Sequence, residues 1–306
     1  MKPTISILII TYNRVEDTLA LLENLKEQDN FGKYVGEILL LNNASTISYR
    51  MVEAFVGENE QMSIQYIKSE KNLGVAGGRN LLVKKARYPY LLVLDDDVVF
   101  PAKGSLEIIA TLLEKPQYQE NNTAVITLNI HYFDTKERQK SALPHKNYEE
   151  YKDKPWFFTY YFVGAAHIMH KALFDKTGYY PEDFFYGMEE YDLSYRILDA
   201  GYSLAYDSSV IVWHKESPLG RVTQSEKLGM MWLNKCKVAW CYLPNKYFYS
   251  TAIMWSFEYL KKTKLDFNGF FKIWKKVSQI PYAIFKKEVS KSALAYLDKV
   301  KARLWY

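Results

Sequence analysis

A chain of 306 residues, 48% hydrophobic and 25% charged, can bury a sizeable core in one large domain or in one domain with an appendage, and its composition excludes disordered and fibrous classes. Its only two cysteines, Cys236 and Cys241, exclude a disulfide framework, so a reducing compartment is expected. The net charge of +5 is uneven: residues 240–306 carry 13 Lys or Arg against 4 Asp or Glu (+9), and the remainder carries 27 against 31 (−4). An acidic body with a basic tail suits an anionic partner for the tail.

No signal peptide is visible, because the apolar run Ile5–Ile10 passes straight into Thr11-Tyr12-Asn13-Arg14. No stretch reaches the ~18 apolar residues of a membrane-crossing helix. Ile5–Ile10 reads as a buried first strand, and Val15 to Gln28 has helical spacing. Gly36–Leu41 reads as a second strand ending in Asn42-Asn43-Ala44-Ser45, and Ser63–Ile67 as a short third. Asn72-Leu73-Gly74-Val75-Ala76-Gly77-Gly78-Arg79-Asn80 is a glycine-rich loop opening a helix that runs to about Ala86. Tyr90–Leu94 is a fourth strand, delivering Asp95, Asp96 and Asp97 to its polar end. Strand alternating with helix over the first hundred residues predicts an open, mainly parallel α/β sheet.

Residues 121–160 read as irregular. Phe162–Met169 is a small-residue strand, Gly187–Arg196 opens a helix ending near Gly201, and Val210–His214 is a last strand. After Gly220 the pattern turns to helices rich in aromatics and lysine. Phe267, Phe270, Phe271, Trp274 and Val277 share one helical face, and Phe285, Val289, Ala293, Tyr296, Val300 and Leu304 form a second stripe. Such helices either pack on the body or lie in a membrane interface, with aromatic and basic residues at headgroup level.

Like charges crowded at a strand end repel unless a cation sits among them, and hard carboxylate oxygens favour magnesium or manganese, which also engage phosphate. The first strand exit lacks Gly-x-Gly-x-x-Gly, so this is not a dinucleotide fold. Phosphate handling falls instead to the later glycine loop and the acids.

Six motifs then fall in order: Thr11–Arg14, Asn42–Ser45, Asn72–Asn80, Asp95-Asp96-Asp97, Glu189-Glu190-Tyr191-Asp192-Leu193 and Trp213-His214. Together they resemble the family-2 inverting glycosyltransferases of GT-A fold, over about residues 4–215, in the manner of bacterial rhamnosyltransferases and other cell-surface glycan glycosyltransferases. The resemblance implies a GT-A catalytic domain over 1–219 and a helical region over 220–306. It implies a metal-dependent inverting hexosyl- or deoxyhexosyltransferase that moves a sugar from a UDP- or dTDP-sugar to a hydroxyl of a lipid-linked or growing cell-surface glycan. It assigns the metal, Mn2+ or Mg2+, to Asp97 and His214 with Asp95. Asp95 lies by the ribose or the metal, and Asp96 is a structural or metal-side carboxylate. Nucleotide-sugar contacts fall to Thr11, Tyr12, Arg14, Asn42, Asn43, Gly74, Gly78 and Arg79. Inversion needs a carboxylate base for the acceptor hydroxyl; Glu190 is the first candidate, with Glu189 and Asp192 as alternatives. Two departures stand out: Glu190 occupies a position where the family carries Asp, and Asn42 one where Asp usually accepts from the pyrimidine.

Two other readings compete. One is a degenerate carbohydrate-binding or scaffold subunit; the other is an Asp-x-Asp phosphatase, disfavoured because Val98-Val99-Phe100 follows the acids where that fold needs Thr or Ser. Nucleic acid is not expected as a partner. The expected location is cytoplasmic, peripheral on the inner membrane face through residues 240–306.

Overall fold

The computed structural model describes residues 4–217, 219 and 223–305. Nine strands form one sheet: β1 Ile5–Thr11, β2 Val35–Asn42, β3 Ile64–Lys68, β4 Tyr90–Asp95, β5 Val98–Val99, β6 Thr123–Tyr132, β7 Trp156–Thr159, β8 Ala166–His170 and β9 Ser203–His214. Their order is β3-β2-β1-β4-β8-β6-β9-β5, with β7 also paired to β9. Pairs β1·β2, β1·β4, β2·β3 and β6·β9 are parallel, whereas β8 is antiparallel to both β4 and β6. Six strands therefore run one way, and β5, β7 and β8 run against them. The sheet is mainly parallel, as expected.

Alternation along the central strands feeds two cores. Ile5, Ile7 and Ile9 of β1, Ile38 and Leu40 of β2, and Leu92 and Leu94 of β4 pack on one face. Leu8, Leu39, Leu41, Leu91 and Val93 pack on the other, beneath the helices Gly74–Lys85 and Glu189–Asp199. Runs that are apolar at every position make both faces buried, the pattern of a sheet covered on two sides.

Residues 121–160 are more ordered than their sequence suggests. They contain β6, ten residues long and buried over its first eight, and β7. Thr127 and Asn129 break the apolar run but are satisfied inside: Thr127 Oγ1 accepts from Val163 N at 3.2 Å, and Asn129 Oδ1 accepts from Tyr206 Oη at 2.9 Å. Likewise β9 begins at Ser203 rather than Val210. Its interior Asp207 accepts from Tyr118 Oη at 2.6 Å and from Ser209 N at 2.8 Å.

The helices Gln224–Tyr242, Asn245–Lys262 and Phe267–Ala283 build a separate core around Trp232, Cys236, Phe248, Tyr259, Val277 and Ile280. Residues 285–290 are not helical, so the second aromatic stripe is only partly a helix face. Its later part, on the helix Lys291–Lys299, buries Ala293 and Leu297 against the body.

Candidate functional site

The carboxyl ends of β1, β4 and β9 meet at one cavity of about 660 Å³, large enough for a sugar nucleotide. Tyr12, Arg14, Asn43, Gly74, Arg79, Asp95, Asp96, Asp97 and His214 all line it. β1 and β4 are register partners at Ile10 and Asp95, which sets the Thr11–Arg14 exit beside the three acids. β5 pairs Val98 with His214, which brings the histidine to Asp97.

Asp95, Asp97 and His214 present ligand atoms that all lie within 4.8 Å of one another. Asp97 is buried, and its Oδ2 accepts from Ser217 N at 2.8 Å and from Arg14 Nη1 at 3.3 Å. Its Oδ1 lies 3.2 Å from His214 Nε2 and has no hydrogen-bond partner among the described residues. Nδ1 of His214 lies 3.1 Å from Gln139 Oε1, an acceptor, so Nδ1 carries the proton and Nε2 is left to face Asp97. A neutral imidazole nitrogen and an unpartnered carboxylate oxygen facing each other fit a divalent cation. Burial opposes both charges, yet Asp97 and His214 stabilise each other, holding the acid below and the imidazole above their ordinary values.

Arg14 clamps this centre. Its Nη1 donates to Asp96 Oδ1 at 2.8 Å, Nε to Leu219 O at 2.8 Å and Nη2 to Ser217 O at 3.1 Å. Asp96 is thus buried against Arg14 on the cavity wall. Burial still raises it to about 7, against the pull of Arg14.

Arg79 lines the cavity yet is almost wholly buried, the hub of the acids around it. Nη1 donates to Glu190 Oε1 at 2.8 Å and Glu189 Oε1 at 3.3 Å, and Nη2 to Gly164 O at 3.2 Å, with Asp95 Oδ1 at 3.8 Å. Glu189 is buried with Oε2 unpartnered among the described residues, and burial, then Glu190, raises it well above the ordinary carboxylate range. A Cβ on Gly164 would sit 2.2 Å from Glu190 Oε1, so this glycine makes room for the glutamate. Asp192 is occupied: Oδ1 accepts from Arg196 and Oδ2 from Tyr242 Oη at 2.8 Å. The helix carrying these acids starts from Gly187 (φ 77°) and Met188 (φ 73°); left-handed backbone at a bulky residue is held only by its surroundings.

The other residues predicted to contact the nucleotide are bonded within the protein or packed tightly against it. Thr11 Oγ1 is buried against Thr18 and Tyr49 Oη, both at 2.7 Å. Asn42 donates to Tyr66 Oη at 2.8 Å and accepts from Ser45 N at 2.9 Å, which uses both ends of its amide. Asn43 holds the glycine loop, accepting from Leu73 N at 2.9 Å and donating to Asn72 Oδ1 at 3.0 Å. Gly74 has φ 68°, and a Cβ there would meet Phe185 O at 2.6 Å. Gly78 instead lets its helix settle on β1 and β2, since a Cβ would meet Ile10 Cδ1 at 2.8 Å. The sequence reading missed Gln139, in the segment read as irregular, and Phe185, Tyr186, Glu216 and Lys227 of the cavity wall, which carry no motif.

A family model described as Glycosyl transferase family 2 matches residues 6–178. An uncharacterized protein of Haemophilus influenzae is 31% identical over 183 residues, covering 59% of this chain and 94% of its own length. The uncharacterized glycosyltransferase YwdF of Bacillus subtilis is 30% identical over 182 residues, covering 58% of this chain and 62% of YwdF. Among solved structures, the mannosyltransferase PcManGT of Pyrobaculum calidifontis, in complex with GDP-Man and Mn2+, aligns with a TM-score of 0.62 at 16% identity, over 98% of this chain and 79% of that one. S. aureus TarS 1-349 in complex with UDP-GlcNAc aligns with a TM-score of 0.63 at 16% identity, over 90% and 81%. These likenesses show the fold, which is of the GT-A type.

Proposed function

The chain belongs to glycosyl transferase family 2, and we propose that it is an inverting, divalent-metal-dependent glycosyltransferase that moves a hexosyl or deoxyhexosyl group from a UDP- or dTDP-sugar to a hydroxyl of a lipid-linked or growing surface glycan. The observation that carries this reading is the Asp95, Asp97 and His214 cluster on the wall of a cavity of nucleotide-sugar size. Those three residues would hold Mn2+ or Mg2+, which when bound offsets the charge gathering on the leaving diphosphate. Tyr12, Asn43 and the Gly74 loop also line the wall and would receive the nucleotide.

Glu190 is the base. Its carboxylate takes the proton of the acceptor hydroxyl as that oxygen attacks the anomeric carbon and the bond to the diphosphate breaks. Arg79 aims it by donating Nη1 to its Oε1, and burial, then Glu190, holds Glu189 well above the ordinary carboxylate range. The exposed aromatic and basic surface of residues 240–306 would hold the enzyme on the inner face of an anionic membrane, close to such an acceptor.

The test is a thermal-shift panel of UDP-, dTDP- and GDP-sugars, with Mn2+ and with chelator. Stabilisation by one nucleotide class that chelator abolishes supports the reading. No shift from any of them, in a folded protein, moves it to a degenerate binding subunit. Glu190→Gln should keep the donor-dependent shift and lose transfer; full transfer in that variant removes Glu190 as the base.

A further inference from the structure

Besides His214, the described basic side chains lining the cavity of about 660 Å³ are Arg14, Arg79 and Lys227. Both arginines already face acids. Arg14 donates to Asp96 at 2.8 Å and to Asp97 at 3.3 Å, and Arg79 to Glu190 at 2.8 Å and to Glu189 at 3.3 Å. Lys227 differs from them. Its Nζ lies 5.5 Å from the centre of the Tyr186 ring, which is also on the wall, and it forms no ion pair among the described residues. Glu216, the remaining acid of the lining, accepts from Gln139 Nε2 at 3.0 Å. A dication held by Asp95 and Asp97 would be balanced by their two carboxylates, and a neutral His214 adds no charge. The diphosphate of a sugar nucleotide therefore brings charge that such a centre does not cancel by itself. That charge grows when the bond to the anomeric carbon breaks and its electron pair stays on the phosphate oxygen. A lysine ammonium acts on phosphate as a compact point charge.

The fold fixes where that lysine stands. Lys227 is in the first turn of the helix Gln224–Tyr242, outside the six motifs that mark the catalytic body. A capping box sets the start of this helix: Thr223 accepts from Glu226 N, and Glu226 Oε2 accepts from Thr223 N at 3.2 Å. The acid next to Lys227 is thus engaged at the cap. Leu228 and Trp232 seat the helix in the C-terminal core. Asn234, two turns beyond Lys227 on the same face, is buried and donates from Nδ2 to Tyr186 O at 3.2 Å and to Gly187 O at 3.0 Å. Those two residues lead into the helix that carries Glu189 and Glu190. One C-terminal helix is therefore bonded to the segment that shapes the cavity and places a cation on its wall.

We propose that Lys227 binds the diphosphate of the nucleotide-sugar donor, so that the C-terminal helices complete the donor site rather than only flank it. The inference rests on the transferase reading above. Lys227 is half-buried, so Lys227→Met, which keeps an apolar stem against Tyr186 and removes the charge, should fold with a Tm near that of the parent. Lys227→Arg keeps the charge. The experiment is calorimetric titration of the intact chain and both variants with UDP, dTDP and GDP in the presence of Mn2+. Ligand-observed NMR adds the matching nucleosides. For the diphosphate that the intact chain binds, Lys227→Met should raise Kd by about 10- to 100-fold. Lys227→Arg should restore most of that loss, and the nucleoside should bind all three chains alike. An unchanged Kd in Lys227→Met overturns the assignment and leaves the transferase reading standing. An equal loss for nucleoside and diphosphate also overturns it, because Lys227 would then shape the wall rather than meet the phosphates. An intact chain that binds none of the three diphosphates overturns this inference and the transferase reading together.

Discussion

At the scale of single residues, Gly164 is where a missing side chain matters most to chemistry. An added Cβ would collide with Glu190 Oε1 at 2.2 Å and Arg79 Nη2 at 2.7 Å, both at the ends of flexible side chains. The fold can absorb Gly164→Ala by moving those ends, but Glu190, the proposed base, is then displaced from where Arg79 holds it. We expect a Tm near that of the parent, donor binding retained and kcat lower by roughly 10²-fold; unchanged kcat would show that Glu190 need not sit where Arg79 holds it. Glu37 makes a different prediction. It is buried, and its Oε1 accepts from Ser6 Oγ and Arg87 N, both at 2.7 Å, and Oε2 from Arg87 Nε at 2.7 Å. Burial alone would raise this carboxyl, but those bonds outweigh it and the acid is held below its ordinary value. A depressed carboxyl adds stability that is present above the unfolded-state value of ~4.3 and is lost as pH falls through the folded value. Glu37→Gln should therefore lower the urea midpoint at pH 7 by an amount worth ~1–3 kcal/mol, and the gap should shrink below pH 4. A gap independent of pH would mean that packing, not charge, sets the cost.

At the scale of elements, the glycine loop opening Gly74–Lys85 is built to one shape. Asn43, just past β2, bonds it, Val75 N donates to Phe185 O at 3.2 Å, and Gly74 takes a left-handed φ that leaves no space for a side chain. Gly74→Ala should cost ~1–3 kcal/mol by urea unfolding and weaken nucleotide binding together with it, because Phe185 shares the cavity wall. Loss of stability with binding intact would detach the loop from the donor site. This loop, β1, β2 and β4 were readable in the sequence, because each is a local pattern: an apolar run, a polar exit, a glycine cluster. β6 and the first half of β9 were not, because their interior Thr127, Asn129 and Asp207 are paid for by partners 36 to 89 residues away. Long-range hydrogen bonding leaves no short-range mark. The same limit explains the site. The acids and His214 stood out as residue types at strand ends. That Arg14 and Arg79 clamp carboxylates, and that Gln139 orients His214, became visible only once distant strands were side by side.

At the scale of the whole molecule, charge and apolar surface gather on the same helices. Among the described residues no helix is long and apolar enough to cross a membrane. Yet Tyr249, Ile253 and Phe257, spaced four apart on Asn245–Lys262, are 57%, 49% and 62% exposed, and Phe267 and Phe271 of the next helix are open as well. Lys261, Lys262, Lys264 and Lys272 are exposed in the same stretch. The opposite faces of these helices hold the Trp232 core, so the open aromatics are not needed to fold them. Aromatic rings beside lysines match the headgroup layer of an anionic bilayer, where each lysine near the surface contributes ~1 kcal/mol and salt screens the contribution. The intact chain should sediment with phosphatidylserine vesicles at roughly 50 mM salt, far less above ~0.5 M, and weakly with phosphatidylcholine alone. Lys261→Gln/Lys262→Gln/Lys264→Gln should flatten the salt dependence, whereas Phe257→Ser/Phe271→Ser should weaken binding at every salt concentration. If the lysine changes alone abolish binding and the aromatic ones do nothing, attachment is purely electrostatic and the rings stay outside the bilayer. Absence of binding at low salt would remove the membrane from this surface altogether, and the proposed acceptor would then have to reach Glu190 from solution.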